Sequence, residues 1–105
     1  MLAEHKQIRA YVSASSMTDI FYVARKRLSM PVARLAIEQL LGLFEVVGVD
    51  GYDLYNALSI PIDDMEDALQ VNCARKVEVD VLITRDIESF TGHGIRVIPP
   101  DKFTI

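Results

Sequence analysis

The stretch between Asp64 and Asp86 limits the possible folds more than any other part of the chain. It opens with Asp64-Met65-Glu66-Asp67-Ala68-Leu69-Gln70, which reads as a helix whose first turn carries several carboxylates. Residues 79–84 then form a nearly unbroken apolar run that ends in Thr84-Arg85-Asp86. Such a run is expected of a parallel strand buried on both faces. In an open parallel sheet, strand C-termini and helix N-termini meet at one edge, and ligands bind at that edge. Carboxylates gathered there suggest a site for a hard divalent cation, and such cations serve phosphate chemistry.

The remainder of the chain alternates in the same way. Residues 2–8 read as the end of a helix and residues 10–13, with Tyr11 and Val12, as a short strand. Ser16-Met17-Thr18-Asp19 has the spacing of a capping box, a hydroxyl at the cap and an acid three residues on. The helix it opens is expected to present Met17, Ile20, Phe21, Ala24 and Leu28 on one face. Ser29-Met30-Pro31 restarts a second helix to about Phe44, with Val32, Leu35, Ala36, Leu40 and Leu43 inward. A strand at residues 45–49 follows, and Asp50 caps a short helix containing Tyr52, Leu54, Tyr55 and Leu58. Pro61 breaks the path, Asp63 or Asp64 caps the next helix, and that helix runs to about Lys76. After the strand at 79–84 come one helical turn at 86–90, a Gly92-His93-Gly94 loop and a last strand at 95–98, closed by Pro99-Pro100. Alternating strands and helices imply an α/β fold with a parallel sheet and right-handed crossovers.

At 105 residues the chain is expected to form one domain over 1–105. Half the residues are hydrophobic and a quarter charged, which places it with globular chains rather than disordered ones. No apolar run approaches the ~18 residues of a membrane span, and the opening residues carry no signal-peptide pattern. A single cysteine excludes an internal disulfide framework and points to a reducing cytoplasm. Cys73, among Val71, Ala74 and Val77, reads as a small core residue. The net charge of −4 argues against non-specific affinity for long nucleic acid. It leaves open a nucleic-acid enzyme whose acids hold metal. Basic clusters at Arg25-Lys26-Arg27 and Arg75-Lys76 read first as solvated helix ends favoured by the macrodipole.

Asp19, Asp53, Asp64 and Asp67 all fall in expected first turns of helices, where a carboxylate caps or complements the dipole. Asp86 after its strand can cap the next turn in the same way. Taken singly, each is a structural residue. The functional expectation rests on convergence, because one helix–strand unit returns Asp67 and Asp86 to the same edge of the sheet. His5 and His93 do not have zinc-site spacing. No glycine-rich phosphate loop is present, and Ser13, Ser15 and Ser16 have no base near them in sequence.

The segment Ser13-Ala14-Ser15-Ser16-Met17-Thr18-Asp19-Ile20-Phe21-Tyr22-Val23, the Asp64–Leu69 helix start, Thr84-Arg85-Asp86 with Phe90, and the ending Val97-Ile98-Pro99-Pro100-Asp101-Lys102-Phe103 together resemble the PIN domain family. The match runs in order over essentially the whole chain. These are small α/β nucleases, many of them ribonuclease toxins of toxin–antitoxin pairs. The resemblance implies a three-layer fold with a parallel sheet and hydrolysis of RNA phosphodiesters with Mg2+ or Mn2+. It implies Asp19, Asp67 and Asp86 as catalytic and metal-holding acids, with Asp64 as an auxiliary metal ligand and Ser16 supporting Asp19. It also implies RNA and an antitoxin protein as partners and no membrane. Family members open with a hydrophobic strand ending in an aspartate, and by this comparison that first, central strand is missing here. The expectations are then a homo-oligomer that fills the gap and impaired activity. The alternative is a catalytically inactive module of the same fold that serves binding or oligomerisation. A receiver-like or flavodoxin-like domain also places acids at a sheet edge, but no phosphoacceptor pattern supports it.

Overall fold

A computed structural model describes residues 8–103 of the protein. The expected helix end at residues 2–8 lies almost wholly outside the described residues. The chain divides into two compact units, residues 1–49 and 50–105.

In the first unit, strand β1 (Tyr11–Ser13) runs directly into helix α1 (Ala14–Arg27). Ser13 makes this junction. Its backbone is extended, and its Oγ accepts the Ser16 N–H at 3.1 Å. The helix therefore starts one turn earlier than the Ser16–Asp19 spacing suggests. Ser16 Oγ accepts from the Ser13 hydroxyl at 3.0 Å, and α1 has no acid in its first turn. Leu28 ends α1, and Ser29 caps α2 (Met30–Leu43) with its Oγ accepting from Val32 N–H. Pro31 sits in the first turn, where its missing N–H has no intrahelical partner to lose.

Strand β2 (Glu45–Val47) then pairs parallel with β1, Tyr11 opposite Glu45 and Ser13 opposite Val47. A two-pronged Arg9–Glu45 ion pair at 2.7 and 2.9 Å spans the start of the pair. Among the described residues of this unit, Met17, Ala33 and Val47 are the buried apolar ones. The inward face of α2 matches expectation at Ala36, Leu40 and Leu43, which are half-buried, and differs at its start. Ala33 is fully buried, while Val32 and Leu35 are about half exposed. Apolar residues surround most of this helix, so their period does not select one face.

In the second unit, Asp50 opens α3 (Gly51–Ser59) with a reciprocal capping box. Asp53 N–H donates to Asp50 Oδ1 at 3.0 Å, and Asp50 N–H donates to Asp53 Oδ2 at 2.9 Å. α3 packs on α4 (Met65–Lys76), which Asp64 caps at 3.0 Å. α4 is the centre of the unit. Ala68, Leu69, Val71, Asn72, Cys73 and Ala74 are all buried, with Val71 the largest fully buried side chain. Cys73 is a core residue, and burial pushes its thiol pKa up.

The end of α4 also redirects the chain. Glu78 N–H bonds to Arg75 C=O and Val79 N–H to Ala74 C=O, both at 3.1 Å. This pairing is a Schellman stop, and it puts Glu78 at φ +55, a position usually held by glycine. The strand expected at 79–84 is consequently short. β3 (Leu82–Ile83) pairs parallel with β4 (Val97–Ile98), and Ile83 is 44% exposed rather than buried. Among the described residues β3 has no second neighbour to cover it. Between these strands lie α5 (Ile87–Phe90) and a loop with Gly92 at φ +92 and Gly94 at φ +82, and a 3-10 turn at Pro100–Lys102 follows β4. The architecture is α/β, with helices and two short parallel strand pairs.

Candidate functional site

The start of α4 and the α5 turn enclose an open cleft of about 400 Å3. Asp63, Asp64 and Asp67 line one part of it, and Glu88, Ser89 and His93 another. Each side chain is placed by local chemistry. Asp64 is the cap of α4, and its Oδ1 is used by the Asp67 N–H, leaving Oδ2 uncommitted among the described residues. Asp67 sits in the first turn of the helix, half-buried, and its carboxylate receives no hydrogen bond among the described residues. Asp86 caps α5: Ser89 N–H donates to Oδ1 at 3.3 Å and Ser89 Oγ–H donates to Oδ2 at 2.6 Å. Thr84 Oγ1 accepts the Asp86 N–H at 3.1 Å, which fixes the turn between strand and helix.

The electrostatics of these acids follow from the placement. The pKa of Asp67 is raised, first by burial and then by the charges of Asp64 and Asp86. Asp64 and Asp86 are thus each near enough for their charge to act on Asp67. Asp19 belongs to the other unit and is exposed in the second turn of α1, away from the N-terminal cap position. Ser16 is bonded to Ser13, so the expected Ser16–Asp19 capping relation does not form.

The donor set tests the fit of a hard divalent cation. Carboxylate oxygens are the right donor type, and a half-buried, unpartnered Asp67 flanked by two carboxylates is negative charge that a cation would relieve. Among the described residues, no three His, Cys, Asp or Glu side chains are grouped to hold one ion.

Asp53 has a different role from the other helix-start acids. Its carboxylate is buried, accepting from Asn72 Nδ2, Lys76 Nζ and Asp50 N–H, each at 2.9 Å. These donors, Lys76 first, hold its pKa at about 2. It is an α3–α4 clasp. The available signal was the Asn72/Lys76 spacing of four, which puts both on one face of α4. His93 and Ser89 were not expected at the cleft. Ser89 had a sequence signal, three residues after a capping aspartate. His93 is brought there by the two left-handed glycines and by Arg75, whose guanidinium donates to the His93 carbonyl at 2.9 Å.

No helix among the described residues is long and apolar enough to cross a membrane. A family model described as PIN domain matches residues 1–88. No curated protein and no solved structure matches the chain.

Proposed function

The chain belongs to the PIN domain family, and on that premise we propose that it hydrolyses RNA phosphodiesters with a divalent cation, Mg2+ or Mn2+, within the three-layer arrangement of the family. The observation that carries this reading is Asp67. It is a half-buried carboxylate with no hydrogen-bond donor among the described residues, and its pKa is raised by burial and by Asp64 and Asp86. An acid in a cleft whose pKa is moved by burial and by neighbouring charge, with no donor to satisfy it, is a candidate for function.

Asp67 and Asp86 would hold the cation, and Asp64 would offer its uncommitted Oδ2. When bound, such a cation lowers the pKa of a coordinated water and stabilises charge on the phosphoryl oxygens. The chain's own contribution is orientation. The Ser89 hydroxyl and N–H lock the Asp86 carboxylate, and the α4 cap sets Asp64 and Asp67 one turn apart. The working setting is a reducing cytoplasm, in keeping with a single buried thiol.

A second reading has its own support. Tyr52, Tyr55 and Leu58 on α3 are 80%, 77% and 71% exposed. Exposed apolar side chains on one helix suit an interface, so an antitoxin protein or a second copy of the chain is proposed as partner. In the non-catalytic version this binding is the whole function.

Manganese titration separates the two. Under the nuclease reading, Mn2+ raises the melting temperature of the wild type and not of Asp67→Asn, and Mn2+-supplemented protein cleaves structured or single-stranded RNA. No metal-induced shift together with intact RNA would leave only the binding module.

A further inference from the structure

The chain's charge is unevenly divided. Residues 1–49 hold six of the 11 Lys+Arg and four of the 15 Asp+Glu, so this unit is net positive in a chain of net charge −4. Four of its cations gather at one end of the α1–α2 helix pair. Arg25, Lys26 and Arg27 form the last turn of α1, and Arg34 lies five residues into α2, across the Leu28–Ser29 turn. All four are exposed, and no side-chain hydrogen bond or ion pair holds any of them among the described residues. The nearest acid on α2, Glu38, stands one turn from Arg34 without pairing to it. On α1, Asp19 lies nearly two turns before Arg25.

The helix dipole explains cations in the last turn of α1. It gives no reason for Arg34, in the N-terminal half of the next helix. An aromatic residue completes the arrangement. Tyr22 is 58% exposed and stands three and four residues before Arg25 and Lys26, on their face of α1. Unpaired cations beside an exposed ring match the requirements of single-stranded nucleic acid, phosphates for the charges and a base for the ring.

We propose that this hairpin end is a docking surface for single-stranded RNA, with Arg25, Lys26, Arg27 and Arg34 on the backbone phosphates and Tyr22 stacked on a base. The choice of RNA as partner rests on the nuclease reading. The surface itself works without metal, so it is tested without metal.

The experiment measures binding of a labelled single-stranded RNA to full-length Asp67→Asn protein in EDTA, by fluorescence anisotropy across a salt series. Each phosphate neutralised on a single strand contributes about −0.7 to the slope of log K against log salt, so four cations give a slope of about −3. Changing Arg25, Lys26 and Arg27 together to Gln should flatten it by about 2, and Arg34→Gln by about 0.7. Tyr22→Ala should weaken binding by roughly fivefold or more with the slope unchanged. Circular dichroism checks that each variant is folded. Three outcomes overturn the proposal: no RNA binding by the parent, an unchanged slope in the triple variant, or binding to anionic phosphatidylserine vesicles in place of RNA. The manganese melt reads Asp67 alone, so loss of the hairpin proposal and loss of the nuclease reading are told apart.

Discussion

Lowering the pH tests the Asp53 clasp directly. Its carboxylate is buried between α3 and α4, with a side chain only 6% exposed, and accepts from Lys76, the Asp50 N–H and Asn72. A carboxylate accepting two or three such bonds has its charged form strongly favoured. The pKa accordingly falls from 3.8 to about 2, with the Lys76 bond the largest cause, the Asp50 N–H next and Asn72 smaller. The folded pKa lies below the unfolded one, so this group's stabilisation is complete above about 3.8 and fades as pH falls through about 2. Lys76 is the mirror case. Its pKa is raised, chiefly by Asp53, so its share is complete below 10.5 and fades only as pH rises through the higher folded value.

Carboxyl-detected NMR of the folded protein should place the Asp53 midpoint at about 2. Lys76→Met should move it furthest toward the ordinary value, and Asn72→Leu should move it less, because the Asn72 bond is the smaller cause. An Asp53 midpoint at or above 3.8 with Lys76 intact would refute the reasoning. So would a larger shift from Asn72→Leu than from Lys76→Met.

Three further outcomes are expected. Asp67 has a raised pKa, from burial first and then Asp64 and Asp86, so its charge penalty develops as pH rises past the ordinary carboxylate value. Asp67→Asn should therefore melt higher than wild type at pH 7 in EDTA and lose that advantage near pH 4, and a lower-melting variant at pH 7 contradicts the account. Glu78→Gly relieves a left-handed backbone position in the α4 stop and should stabilise by about 0.5–1 kcal/mol, read as a rise in denaturant midpoint at constant slope. Phe90, buried at the end of α5, anchors the turn that carries Asp86. Phe90→Ala should destabilise by about 3–5 kcal/mol, and a loss below 1 kcal/mol in urea unfolding would show that the ring is not load-sharing in the core.

Local chemistry was the readable part of the sequence. The caps at Ser29, Asp50, Asp64 and Asp86, the end of α4 at Lys76 and the Gly92–Gly94 loop all depend on residues close in sequence, and each stands where its signal put it. The cap of α1 was misplaced because Ser13, Ser15 and Ser16 all offer a hydroxyl, and β1 running straight into the helix chooses Ser13. On α2 the expected inward face holds at Ala36, Leu40 and Leu43, which are half-buried, and fails at Val32 and Leu35, which are exposed. The strand at 79–84 was overestimated because a backbone reversal at Glu78 follows from hydrogen bonding at a helix end, which an apolar count does not register. Asp64 and Asp67, which line the cleft, were legible as helix-start acids, and Asp86 as the cap of α5. The Asp53–Asn72–Lys76 clasp was not, since it joins residues about twenty positions apart.

The lone sulfhydryl in the middle of α4 gives the molecule a built-in clock. Cys73 is 4% exposed and its thiolate is disfavoured by burial, so an alkylating reagent reaches it only when the helix comes away from its neighbours. Labelling rates at this one atom would time the opening of the element that carries Asp64 and Asp67, with no added probe and no competing thiol elsewhere in the chain.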